Sequence, residues 1–328
     1  MSKSNIQRSI CLSFVLFINL INDDSAQAEG AQLGGKIWAK MSTDLMEDKP
    51  NPAFDVYRGF VTGSYTFAEN WSSSIIVEAA TTKAVLTSIH AGENISLFQA
   101  MIQGKKLLTD SDTFRVGLAP GQYLVPLYKK LGTRYLGRTL SHYQGNMGTR
   151  QLGVSYLASI SDLRFGIQLH QGAKTHGKKT EHDRAATLTL GYDLTKELGM
   201  MVSHEYSQTI DNRTPDQNST AFAFYFANPK YRAALEASHS LSKGSDKHIL
   251  GLGLTTNIEI IDQWRLYGRL FSGNEDFKSV VKSGFVWSIG PSFTITKGIS
   301  TAVVLDNKES FDNSDPVRVV SLVLAANK

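Results

Sequence analysis

The chain has 328 residues, with 34 Lys and Arg against 30 Asp and Glu, and this formal charge of +4 singles out no nucleic-acid partner. Its one cysteine, Cys11, excludes an intrachain disulfide framework. Hydrophobic content of 41% with 10% aromatic residues is that of an ordinary folded protein, so the pattern of residues has to carry the assignment.

Residues 1–28 read as a secretory signal peptide. Lys3 and Arg8 give a positive start, Ile10 to Ile21 (ICLSFVLFINLI) is uncharged and mostly apolar, and Ala26-Gln27-Ala28 is an A-x-A cleavage signal. An apolar run of about 12 residues falls short of the roughly 20 that cross a bilayer as a helix. Cleavage after Ala28 would remove Cys11 and leave 29–328 as a single domain without thiol chemistry. No later segment has the length of a membrane helix. A closed β-barrel is then the one way left to cross a bilayer, because it pairs every backbone group without helices.

Period-two alternation recurs along the whole chain. It predicts strands near 33–43, 54–67, 71–80, 94–106, 113–119, 149–160, 162–171, 184–195, 198–209, 219–227, 230–241, 247–256, 262–272, 280–294, 297–306 and 315–325. In ATLTLGYDL, Ala186, Leu188, Leu190, Tyr192 and Leu194 share one face and Thr187, Thr189, Gly191 and Asp193 the other. In WRLYGRLF, Trp264, Leu266 and Leu270 oppose Arg265, Tyr267 and Arg269. No long segment offers helical spacing. AGEN (Ala91 to Asn94), DNRTPDQNS (Asp211 to Ser219), SGNED (Ser272 to Asp276) and DNSDP (Asp312 to Pro316) supply turn chemistry between strands. The expected fold is all-β, a membrane-spanning antiparallel up-and-down barrel of 16 strands, with 14 to 18 compatible with the pattern. A soluble sandwich or solenoid would also alternate. Aromatic residues at strand ends (Trp38, Tyr57, Phe67, Trp71, Tyr192, Tyr225, Phe226, Tyr231, Trp264, Trp287, Phe293) favour the barrel, as interfacial girdles.

Phe54 to Ala79 (FDVYRGFVTGSYTFAENWSSSIIVEA), Asn94 to Leu108, and FRVGLAPGQYLVPLYKKLGTRYLGRTL followed by MGTRQLGVSYLASI together resemble porin-like bacterial outer-membrane proteins, including the phosphate-selective porins O and P. The likeness covers about residues 30–170, and beyond that it is one of architecture. Where that pattern has an acidic residue, this chain has Gln151, and it ends VRVVSLVLAANK without the terminal aromatic residue usual there. The resemblance implies a passive diffusion channel for small hydrophilic solutes, sited in the bacterial outer membrane among lipid and lipopolysaccharide, and assembled as a homotrimer.

Between Thr113 and Ser161 there is no acidic residue, while Arg115, Lys129, Lys130, Arg134, Arg138 and Arg150 are basic. The resemblance implies that the loop at about 120–148 folds into the lumen, where these charges would line the narrowest point and favour anionic solutes. Lys36, Lys40 and Arg58 would extend that lining, with Glu78 opposing it. The alternative leaves the loop outside, its charges facing lipopolysaccharide phosphates or solvent.

Catalytic, metal and cofactor signatures are weak. His176 and His182 lack zinc-site spacing. Ser203-His204 and Ser238-His239 are adjacent strand residues that point to opposite faces, and Gly251 to Asn257 (GLGLTTN) precedes strand sequence where a nucleotide-binding loop needs a helix. No enzyme and no cofactor is expected. A surface binding or adhesive barrel with a closed lumen is the second reading, and an outer-membrane hydrolase a distant third.

Overall fold

The computed structural model describes residues 30–44, 53–79, 95–133, 136, 139–143, 147–171, 184–208, 216–242, 247–274, 283–296, 298–308 and 317–327. The proposed signal peptide, His176 and His182 lie outside them. Sixteen strands form in chain order: β1 (Ala31–Asp44), β2 (Ala53–Ala68), β3 (Trp71–Ala79), β4 (Ile95–Lys105), β5 (Thr113–Pro120), β6 (Arg150–Ile160), β7 (Leu163–His170) and β8 (Arg184–Asp193). They continue as β9 (Leu198–Gln208), β10 (Gln217–Ala227), β11 (Tyr231–Ser242), β12 (Lys247–Ile261), β13 (Trp264–Asn274), β14 (Ser283–Thr296), β15 (Ile299–Lys308) and β16 (Val317–Asn327). Every strand pairs antiparallel with its sequence neighbour, and β1 pairs with β16 from Lys36↔Asn327 to Asp44↔Val319, which closes the barrel.

The alternation explains the closure. On β8, Ala186, Leu188, Leu190 and Tyr192 are exposed while Ala185, Thr187, Thr189 and Gly191 are buried. The large apolar side chains are thus outside: Leu169 is 61% exposed, Leu235 54% and Leu252 57%. In water this would be a liability. Around a closed sheet it is the apolar band that hydrocarbon requires. The polar faces turn inward, where Gln103 bonds Ser72 and Gln99 bonds Ser74 from one strand to the next.

One end of the barrel carries short connections. Ser161-Asp162 joins β6 to β7, Asp262-Gln263 joins β12 to β13, and Asn228 caps the β10–β11 turn through Lys230 and Tyr231 N–H. The turn from β4 to β5 is held by Asp112, whose carboxylate accepts from Leu107, Leu108 and Thr109 N–H at 2.7, 2.7 and 3.0 Å. Burial pushes the Asp112 carboxyl up. The three backbone donors and Tyr156 outweigh that and hold it below the usual carboxylate range.

One of the sequence expectations needs correction. Tyr65, Phe67, Trp71, Tyr192, Tyr231 and Trp264 ring the outside at the short-turn end, Trp264 packing on Phe293 at 4.9 Å. Trp38 and Tyr225, however, are 5% and 2% exposed and point inward, Trp38 against Phe60 and Phe60 against Phe98. They are core aromatics of the inner wall, because their inward parity outweighs their position near a strand end. The loop between β5 and β6 is partly helical. It contains helix α1 (Leu124–Leu131) and a single turn, α2 (Leu140–Tyr143). Leu124, Leu127, Tyr128 and Leu131 repeat at the spacing of one helical face, a signal too short for a search for long helices.

Candidate functional site, a loop strapped inside the barrel

The β5–β6 loop leaves the wall through a narrow neck, Gly121 N–H donating to Thr149 O at 3.0 Å. It then turns inward. Gln122 Nε2 donates to Ile167 O at 3.0 Å, with Gly166 beside it; a Cβ there would stand 2.3 Å from Gln122 Oε1, so a larger residue would have to displace the Gln122 amide. The apolar face of α1 lies flat on the wall: Tyr123, Leu124, Leu127, Tyr128, Leu131 and Met147 form one buried cluster with Met201 on β9, Ala221, Ala223 and Tyr225 on β10 and Ala234 on β11. The inward alanines make room for the leucines. Gly132 ends α1 in the left-handed conformation, φ 66°, its N–H bonded to Tyr128 O at 2.8 Å.

Beyond α1 the loop follows the wall further. Asn257 Nδ2 on β12 donates to Leu131 O at 3.2 Å. Leu136 packs with Tyr267, Ala302, Val304 and Val323 on β13, β15 and β16, and Leu140 with Phe271 and Val286 on β13 and β14. Glu236 on β11, 1% exposed, grips the start of α2, accepting from Leu140 N–H at 3.0 Å and Ser141 Oγ–H at 3.1 Å. The loop is therefore inside the barrel, its packing running round the wall from β9 to β16.

The nine basic residues expected from the sequence fall in different places. Lys129 is exposed on α1, off the buried face. Lys130 reaches Asp193 at 3.6 Å and sits 5.0 Å from the centre of the Tyr225 ring, so its charge is offset by an acid near the short-turn end. Arg150 stacks over Phe98 at 4.4 Å and donates to Thr149 O, fixing it at the loop's base. Arg115 occupies an inward position on β5, opposite Gln103 and Ser155, with its Nε buried. Lys36 is exposed on β1. Lys40 and Arg58 belong to β1 and β2, but their side chains lie outside the described residues, as do Arg134 and Arg138 entirely. Glu78, expected to oppose these charges, is 2% exposed on the inner face of β3, across from Phe60.

Four further inward arginines belong with them. Arg164 Nη2 bonds Asp193 at 3.0 Å and Tyr225 Oη at 2.5 Å. Arg265 pairs with Glu259 at 2.6 Å, and Arg269 with Asp306 at 3.2 Å. Arg232 has Arg265 and Glu259 as charged neighbours. All four sit on the polar phase of an alternating strand, so the pattern that gave the strands also placed them.

The closed barrel of 16 antiparallel strands is a fold the chain shares with solved bacterial outer-membrane porins. The chain superposes on OmpF of Salmonella typhi, solved in complex with daunomycin, with a TM-score of 0.70 at 11% identity, covering 91% of this chain and 97% of that one. It also matches the anion-selective porin from Comamonas acidovorans (TM-score 0.68, 9% identity, 91% and 99% covered) and the outer membrane channel DcaP of Acinetobacter baumannii (0.65, 12%, 91% and 97%). No protein-family model and no curated protein matches the sequence. At such low identities the likeness is one of fold.

Proposed function

We propose that this protein is exported by residues 1–28, cleaved after Ala28, and acts in the bacterial outer membrane as a passive diffusion channel for small hydrophilic solutes with a weak preference for anions. The loop's packing carries the reading: its leucines face the wall, so its polar face is turned away from it, and Lys129 is left exposed. Lys36 on β1 and Arg115 on β5 supply cations whose field is focused by low-dielectric walls, while Arg164, Arg265 and Arg269 are offset by Asp193, Glu259 and Asp306. Lys129, Lys130, Arg134, Arg138 and Arg150 are the loop's contribution, with Lys36, Lys40, Arg58 and Arg115 that of the wall. Discrimination by radius and charge requires no catalytic group and no cofactor, so no enzymatic step is proposed.

A homotrimer is part of the proposal. The outer faces of β1–β5 hold a shallow groove of about 580 Å³ in which Gly63, Ser73 and Ala100 lie between Leu33, Ile75 and Ile102. Small residues between larger ones let two apolar surfaces approach closely within a bilayer. Purified protein inserted into a planar bilayer should show discrete conductance steps, and crosslinking in detergent should yield trimers. Insertion without ion flow would remove the channel and leave the closed-lumen binding barrel.

A further inference from the structure

His239 on β11 and His248 on β12 stand together on the outer face, in the last rungs before residues 243–246. The register pairs His239 with Leu250 and Leu241 with His248, so the two imidazoles are diagonal neighbours on one face. His239 Nε2 and His248 Nδ1 are 3.3 Å apart, and the ring centroids 5.6 Å. Neither nitrogen of this contact bonds a carboxylate or backbone carbonyl among the described residues. The pair lies on a surface otherwise set by Phe222, Phe224, Leu235, Leu252 and Leu254, where two polar rings have no packing advantage.

We propose that His239 and His248 form a two-histidine chelate for a divalent transition-metal ion such as Zn²⁺, at the long-connection rim of the barrel. Zinc–imidazole bonds of about 2.0–2.1 Å at a tetrahedral angle place the two nitrogens about 3.3–3.4 Å apart. The observed 3.3 Å is that bite. In the structure the two nitrogens face each other, and the proposal requires the rings to turn so that both lone pairs meet at one ion. Imidazole ligates as the neutral base, and two neutral ligands leave the ion its charge and its remaining positions to water. The β-sheet register supplies the preorganisation that a pair of histidines on a mobile loop lacks. His204, on the same face of β9, is not part of the site: its Nδ1 bonds Thr220 Oγ1 at 2.9 Å, and Thr220 lies between it and His239 in the register.

The test uses untagged full-length protein, folded in detergent and titrated calorimetrically with ZnCl2. Wild type and H204A should bind with the same affinity. H239A and H248A should each lose that binding. Disturbing an outer-shell partner of a metal site already costs roughly tenfold, so loss of a direct ligand should cost at least about that. Both substitutions are on the outer face, and unchanged heat-dependent gel mobility will show that each barrel still folds. With Cu²⁺ as a second probe, electron paramagnetic resonance should report two equatorial nitrogens in wild type and one in either variant. No binding by wild type, or binding that survives in H239A and H248A, overturns the proposal and leaves the contact as a neutral hydrogen bond between rings.

Discussion

Replacing Glu236 with alanine should release the inner loop while leaving the barrel intact. The carboxylate accepts from Leu140 N–H and Ser141 Oγ–H and is 1% exposed, so its removal leaves two buried donors without their acceptor. Each buried donor left without a partner costs about 1–3 kcal/mol, so two cost roughly 2–6 kcal/mol, borne by the docked loop and largely absent from the undocked one. At about 1.4 kcal/mol per factor of ten, a mid-range loss of ~4 kcal/mol raises the undocked population on the order of 1,000-fold. Glu236→Gln keeps one acceptor oxygen and should give a smaller rise. Trypsin reports this directly: when opening is fast relative to cleavage, the rate of cutting after Lys129 follows the undocked population. Heat-dependent gel mobility monitors the barrel independently. Wild-type cleavage rates in E236A, with the barrel folded, would refute the account of Glu236 as the loop's anchor.

Three other outcomes are expected. Neutralising Lys129, Lys130, Arg134 and Arg138 with Gln should move the reversal potential in a salt gradient toward cations, the more so because Asp193 would lose one of its two cationic partners; an unchanged potential would separate the loop from solute selection. Leu235→Arg, on the outer face of β11, should destabilise the barrel by about 2–4 kcal/mol if it sits near the bilayer midplane, measured by urea unfolding in lipid vesicles. The Asp112 carboxyl is held below its ordinary value in the fold, so its contribution is present above the unfolded value of about 3.9 and is lost as pH falls through the lower folded value. Thermal melting of wild type should therefore fall in that acid range, and D112N should melt lower at neutral pH with a shallower acid slope.

The strands were legible because the bilayer imposes a simple rule. One face of each strand must be apolar and the other is free to be polar, so the alternation in ATLTLGYDL or RFGIQLH is uninterrupted and each expected strand overlaps its observed counterpart. Trp38 and Tyr225 escaped that rule. An inward aromatic is permitted wherever a loop or another ring covers it, and that cover comes from residues distant in sequence. The basic loop was visible as charge, but charge does not reveal direction. What turns it inward is the leucine spacing of α1 together with alanines on strands some 90 to 110 positions later, Ala221, Ala223 and Ala234. Lys130 and Arg150 were expected as free lining, yet their partners Asp193 and Phe98 became apparent only once the strands were brought together.

The loop makes the wall unequal. From β9 to β16 the sheet is backed by a second layer of side chains, whereas among the described residues the loop's apolar clusters include none from β2 to β5. Heat or detergent should accordingly unzip the vessel from its thin flank, and the last amides to exchange with deuterium should be those of β10 and β11 behind the leucines.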